Sequence, residues 1–136
     1  MTPAEVFRQS EPSPSRYALL SRPDLAGIVE SSLVHFNEDR FALHAWVVMP
    51  DHVHVVVTPW TQTLAQIVKS WKSFSARLVN RARNSGGQVW QPEFFDHIVR
   101  SREDYERFVR YVEGNPVEAG LCQDPGAWPF SSARYR

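Results

Sequence analysis

The stretch from Arg40 to Thr58 constrains the fold of this chain more than any other. Arg40 to Met49 is dense in apolar and aromatic residues and reads as a strand. Pro50-Asp51 supplies a turn, and His52 to Thr58 returns as a second, valine-rich strand. Residues two apart on a strand share a face. Val53, Val55 and Val57 therefore supply burial on one side, while His52 and His54 point together to the other. With a two-residue turn at Pro50-Asp51, His44 falls opposite Val57 and faces away from the histidine pair. It is then a poor third partner for anything that pair holds.

The other elements follow from periodicity and punctuation. Met1 to Arg22 is rich in proline and serine (Glu11-Pro12-Ser13-Pro14-Ser15) and reads as an irregular segment, with residues 23–136 as one domain. Pro23 opens a helix whose Leu25, Ile28, Val29, Leu33 and Phe36 make one stripe. Thr61 can cap a long helix to about Asn84, with Leu64, Ile67, Val68, Trp71, Phe74 and Leu78 on one face, and Ser85-Gly86-Gly87 breaks it. Glu93 to Arg100 reads as a third strand. Ser101 starts a helix with Glu103 and Asp104 in its first turn. Pro116 stops or kinks that helix, and a short turn runs on to Leu121. Trp128-Pro129-Phe130-Ser131-Ser132 is aromatic enough to pack back on the domain. The interleaved order αββαβα predicts an α+β sandwich on a mostly antiparallel sheet, with the helices on one face.

Composition excludes several classes. A 136-residue chain with 43% hydrophobic residues, five tryptophans and eight phenylalanines is long and apolar enough to bury a core. The single cysteine, Cys122, excludes an internal disulfide and a Cys-rich zinc module. No apolar run approaches the roughly 18 residues of a membrane span. Met1 to Glu11 lacks a signal-peptide core, so the expected location is cytoplasmic. Fifteen basic and fifteen acidic residues cancel, but unevenly. From His52 to Pro92 there is no Asp or Glu, while Lys69, Lys72, Arg77, Arg81 and Arg83 all fall there. A neutral protein can thus present one basic face to a polyanion, although a solvated helix face has the same composition.

Two further residues stand out. In the helix after Ser101, Tyr105, Phe108, Val109 and Val112 form the buried i, i+3, i+4, i+7 set. Tyr111 lies roughly 110° off that stripe, so the core does not account for it; a boundary tyrosine with a wet hydroxyl is the plain alternative. Asn115, four residues on, shares its side if the last turn persists, or else caps the turn that Pro116 opens. The histidine pair can grip one cation from a rigid strand, or be two histidines without metal.

Several strings together resemble one family. They are Met49-Pro50-Asp51-His52-Val53-His54, Trp71-Lys72-Ser73-Phe74, Trp90-Gln91-Pro92-Glu93-Phe94-Phe95-Asp96-His97, Arg110-Tyr111-Val112-Glu113-Gly114-Asn115-Pro116 with Val117-Glu118-Ala119-Gly120-Leu121, and the late Trp128-Pro129-Phe130-Ser131-Ser132. In this order they resemble the REP-associated tyrosine transposases, which are single-tyrosine HUH endonucleases, and the match runs from about Leu25 to the C-terminus. The resemblance implies a ferredoxin-like antiparallel sheet with the histidine pair on a central strand. It further implies Tyr111 as nucleophile, with His52, His54 and Asn115 as ligands of Mg²⁺ or Mn²⁺. The implied partner is single-stranded or hairpin DNA of palindromic repeats, cut and rejoined through a 5′-phosphotyrosine.

Under this resemblance Lys69, Lys72, Arg77, Arg81 and Arg83 become phosphate contacts. Trp90 and Phe94 or Phe95 either stack unpaired bases or belong to the core. His97, beside Asp96, orients a loop or touches DNA. A non-cleaving hairpin-DNA binder and a small metal-dependent hydrolase using water are the alternative functions. The family's first strand, before the first helix, is expected to be missing here, since 1–22 offers only Tyr17-Ala18-Leu19-Leu20. An unpaired edge beside the histidine strand would invite a second copy of the chain, giving a homodimer.

Overall fold

The computed structural model describes residues 4–5 (backbone only), 19–91 and 94–136. The elements are β1 (Ala4–Glu5), α1 (Pro23–Val34), β2 (Phe41–Val48), β3 (Val53–Pro59), α2 (Leu64–Ala82), β4 (His97–Ile98) and α3 (Arg102–Glu118). The four strands form an antiparallel sheet in the order β2-β3-β1-β4. This is the split β-α-β arrangement of a ferredoxin-like sheet, with α3 added. The first strand is therefore present: β1 pairs Ala4 with Val57 on one side and with Ile98 on the other. The expectation of a missing strand is corrected: Ala4 and Glu5 lie between β3 and β4 in the sheet. The edge of β3 is closed, which removes the reason for expecting a second chain there. The irregular reading of 1–3 and 6–18 lies outside the described residues.

The hairpin forms around Pro50-Asp51, where the Met49 N–H donates to the His52 carbonyl at 2.8 Å. Pairing runs from Val48 with Val53 to Ala45 with Val56, as a two-residue turn requires, and then slips. Leu43, not His44, pairs with Val57. A bulge inserts one residue and reverses the alternation beyond it. Phe41 and Leu43 join the core beneath α1 and α2, whereas Ala45, Val47 and Met49 join the core beneath α3.

The helices occupy both faces of the sheet, which corrects the one-face expectation. α1 and α2 bury Leu25, Val29, Leu33, Ile67, Val68 and Trp71 against Val53, Val55 and Val57. On the other face α3 packs Val112, with Tyr105, Phe108 and Val109, onto Ala45, Val47 and Val56. Periodicity finds an apolar stripe but cannot say which sheet face receives it. α2 is capped by Thr63, not Thr61: its side chain accepts from the Gln66 N–H, and Gln66 returns a bond to the Thr63 N–H.

α3 runs through Pro116 to Glu118. Pro116 lacks the N–H for the Val112 carbonyl, yet Val112, Glu113 and Pro116 are buried and tie this turn to the rest of the molecule. Glu113 Oε2 accepts from Ser132 Oγ at 2.5 Å, and both its oxygens accept from Arg136 Nε at 2.8 Å. The C-terminal tail covers the outer edge of β2. Val48 N–H donates to the Phe130 carbonyl at 2.9 Å, Val47 bridges Ser131, and Trp128 Nε1 donates to the Val48 carbonyl at 3.0 Å. The expected third strand shortens to His97–Ile98, and its expected start at Glu93 lies outside the described residues. No helix among the described residues is long and apolar enough to cross a membrane.

Candidate nucleic-acid cleavage site

The histidine pair sits on the face of the sheet that α3 covers. His52 lies at the end of the turn and His54 two residues on, with ring centroids 4.7 Å apart. His54 is 6% exposed. His52 Nδ1–H donates to Asp51 Oδ1 at 2.6 Å, which leaves Nε2 as the lone-pair nitrogen of that ring. Asp51 thus does more than turn the chain: it sets the tautomer of the next residue.

Tyr111 projects from α3 onto the pair, its ring centroid 5.4 Å from that of His54. The residue is 52% exposed, because it lies off the stripe that carries Val112 into the core. Asn115 is inside the helix, its carbonyl accepting from Ala119 N–H. It is therefore not a cap for a new helix at Pro116, and the unbroken helix puts it on Tyr111's side.

α3 runs antiparallel to β3. Tyr105 meets His44 at 5.4 Å between rings, and His44 Nε2 bonds Thr58 Oγ1 at 2.7 Å. Six residues later Tyr111 meets His54. With rises of about 1.5 Å per helical residue and 3.3 Å per strand residue, four more residues bring Asn115 level with His52. His44, reversed by the bulge, faces the same side as the pair, contrary to expectation. It still lies some three strand residues, about 10 Å, from His54, and burial pushes its pKa below the usual histidine value. That separation makes it a poor third partner for the pair.

Beside Tyr111 an open groove of about 840 Å³ runs along α3, lined by Arg107, Arg110, Tyr111, Gly114, Asn115 and Glu118 among others. Arg110 is exposed and its guanidinium is in no ion pair among the described residues, whereas Arg107 holds Asp104 at 2.9 Å. Sequence reasoning passed over Arg110. Its signal was adjacency to Tyr111 on the exposed side of the helix. Among the described residues, no three His, Cys, Asp or Glu side chains are arranged to hold a metal ion between them.

The basic residues of α2 lie on the opposite face of the sheet from Tyr111. Lys69, Arg77 and Arg81 are exposed and, with Ser73, fall on one i+4 row. Lys72 Nζ donates to the Gln91 carbonyl at 2.6 Å, and Arg83 donates to Asn80 Oδ1 and the Gly86 carbonyl. Trp90 is a core residue, 6% exposed, with Nε1 donating to Ser75 Oγ. Phe94 is half-buried and Phe95 is 63% exposed. The His97 ring stacks 6.1 Å from that of Phe108.

The chain is similar to several known proteins. The REP-associated tyrosine transposase of Escherichia coli strain K12 is 29% identical over 108 residues, spanning 77% of this chain and 62% of that protein. A Haemophilus influenzae protein given the same name provisionally is 26% identical over 106 residues, or 68% of this chain and 58% of its own. The chain therefore spans about three-fifths of the length of these two relatives. Among solved structures, a REP-associated tyrosine transposase bound to a REP hairpin superposes with a TM-score of 0.75 at 26% identity, covering 98% of this chain and 77% of that one. The family described as Transposase IS200 like matches residues 15–115. With that span, and a tyrosine set against a strand-borne histidine pair, the chain belongs to the IS200-like transposase family.

Proposed function

We propose that the chain is a divalent-metal-dependent endonuclease and strand transferase for single-stranded, hairpin-forming DNA, acting through a 5′-phosphotyrosine on Tyr111. The observation that carries this reading is the placement of an exposed tyrosine 5.4 Å from His54, itself 4.7 Å from His52. Hairpin DNA as the partner is supported by the solved relative, which is bound to a REP hairpin.

The residues present fit a divalent cation. Two imidazole nitrogens and the Asn115 amide oxygen make a mixed N,N,O donor set, suited to Mn²⁺ or Mg²⁺ with substrate oxygens completing the shell. The Asp51 bond to His52 is the carboxylate support that ligating histidines commonly have. When bound, such a cation supplies Lewis-acid charge to a non-bridging phosphate oxygen.

The chain's own residues do the rest. Tyr111 Oη gives up its proton and attacks phosphorus; the Oη–P bond forms, the P–O3′ bond breaks, and the leaving 3′ oxygen takes a proton. The bond energy is retained in the phosphotyrosine, so a 3′-hydroxyl can reverse the step and join strands. Burial of Val112 on the adjacent stripe holds the tyrosine over the site, and Arg110 faces the groove where the flanking phosphates would run.

Tyr111→Phe removes one oxygen and keeps the ring. We expect this variant to bind hairpin DNA and Mn²⁺ as wild type does, yet to form no covalent adduct and no nicks. A denaturing gel of labelled hairpin-bearing single strands, with Mn²⁺ or with chelator, reads this directly. Cleavage by Tyr111→Phe at the wild-type rate would make water the nucleophile. Binding without any wild-type adduct would leave a non-cleaving hairpin-DNA binder.

A further inference from the structure

A second feature lies on the far side of the sheet from Tyr111. Between α2 and residue 94 is a cleft of about 260 Å³ lined by Ala65, Val68, Lys69, Lys72, Ser73 and Phe94. That is below the roughly 300–1,000 Å³ of clefts that bury drug-sized ligands, so its occupant is small. One wall is cationic: Lys69 is exposed, and Lys72 is held in the wall by the Gln91 carbonyl. Ser73 adds a hydroxyl donor. The other wall is the Phe94 ring, half-buried against the core and 6.0 Å from Lys72 Nζ.

The surroundings point to a polyanion rather than an isolated anion. Lys69 and Ser73 begin the exposed i+4 row that continues through Arg77 and Arg81, and α2 itself contains no carboxylate. The surface also connects this cleft to the cleavage site. From Phe94 the chain passes exposed Phe95, His97 and Ile98 along the β4 edge, and His97 stacks on Phe108, one turn before Tyr111. A single strand leaving Tyr111 across that edge arrives at Phe94.

We infer that this cleft is a subsite for one unpaired nucleotide of the DNA strand that Tyr111 engages. Lys69 and Ser73 take its phosphate, and the Phe94 ring stacks its base. A basic groove interrupted by an aromatic face is the arrangement by which single strands are held without base-specific contacts. The inference rests on the DNA-binding part of the proposed function and not on cleavage.

The probe is a hairpin oligonucleotide with unpaired oligothymidine extensions on both sides. Each extension position is replaced in turn by 5-bromouracil for photocrosslinking and by an abasic spacer for binding measured by fluorescence anisotropy. In wild type, one position should crosslink to the peptide carrying Phe94, and the abasic spacer there should weaken binding about tenfold. Phe94→Leu keeps an apolar side chain against the core. It should bind intact DNA about tenfold more weakly and show no further loss with the abasic spacer. Lys69→Ala should lower the log–log salt slope by about 0.7. Crosslinks mapping only elsewhere, or an abasic penalty unchanged in Phe94→Leu, would overturn the subsite. The crosslink map needs no variant, so a folding defect in Phe94→Leu cannot rescue or sink it.

Adding Mn²⁺ to the same samples separates the two readings. Tyr111 adduct without a Phe94 crosslink removes the subsite alone. A Phe94 crosslink without adduct supports the subsite and removes cleavage. No binding of the probe removes both.

Discussion

Asp51 and His44 show how single residues on one hairpin acquire different roles. Asp51 holds His52 Nδ1 at 2.6 Å, so the ring presents a defined nitrogen to the site. Asp51→Asn is expected to weaken Mn²⁺ binding about 10–100-fold, while the double variant His52→Ala, His54→Ala should abolish it. Isothermal titration checks both, and undiminished binding by the double variant would remove the metal assignment. His44 has the opposite task of staying neutral. Burial lowers its pKa from the ordinary 6.5, with Glu38 opposing weakly. The unfolded chain therefore binds more protons at His44 than the folded one does near and below that value. The stability His44 contributes is present above about pH 6.5 and is lost as pH falls through that value toward the lowered folded pKa. Melting temperatures measured from about pH 8 to pH 5.5 should fall more steeply for wild type than for His44→Gln. Parallel curves would contradict this.

At the scale of elements, α2 and α3 divide the work across the sheet. α3 carries the tyrosine, and its continuity through Pro116 keeps Asn115 on the tyrosine's side. The Glu113 bonds to Ser132 and Arg136 help hold that last turn. α2 presents Lys69, Arg77 and Arg81 on one exposed row, while Lys72 and Arg83 are engaged with backbone carbonyls. Replacing Lys69, Arg77 and Arg81 together should lower the log–log salt slope of single-stranded DNA binding by about 2, near 0.7 for each contact. Lys72→Ala and Arg83→Ala should instead act mainly through stability, at about 1–3 kcal/mol each for a lost charged donor. Salt titrations of binding and denaturant melts distinguish the two groups. A triple variant with an unchanged slope would make the row a solvated surface.

For the whole molecule the deciding feature is closure of the sheet. β1 pairs with both β3 and β4 and joins the hairpin to the edge strand. The tail from Trp128 to Ser132 covers the opposite edge at β2. Ala4→Pro with Glu5→Pro removes two backbone donors from the middle of the sheet. The variant should lose about 1 kcal/mol for each ladder bond broken, and exposure of the β3 edge should promote self-association. Size-exclusion chromatography over a range of concentrations, with a thermal melt, tests this. A variant as stable and as monodisperse as wild type would mean that β1 contributes nothing to closure.

The amino-acid sequence alone determined everything that depends on local period. It placed the turn at Pro50-Asp51, set His52 and His54 on one face, ran the apolar stripes of α1 and α3, and left Tyr111 off the stripe. The tail packs back as its aromatic residues imply. Those readings hold because strand and helix repeats act over a few residues, whatever lies across from them. What the tertiary structure decided depends on partners distant in the chain. Cross-strand packing placed the bulge between Leu43 and Ala45, which turned His44 to the other face. β1 is a strand through its pairing with β3 and β4, which lie far along the chain from it. Pro116 stays helical because its turn is buried against the tail, a gain that outweighs one missing hydrogen bond. The position of α3 across the sheet from α1 and α2, which brings Tyr111 to His54, follows from the two faces of the sheet each needing cover.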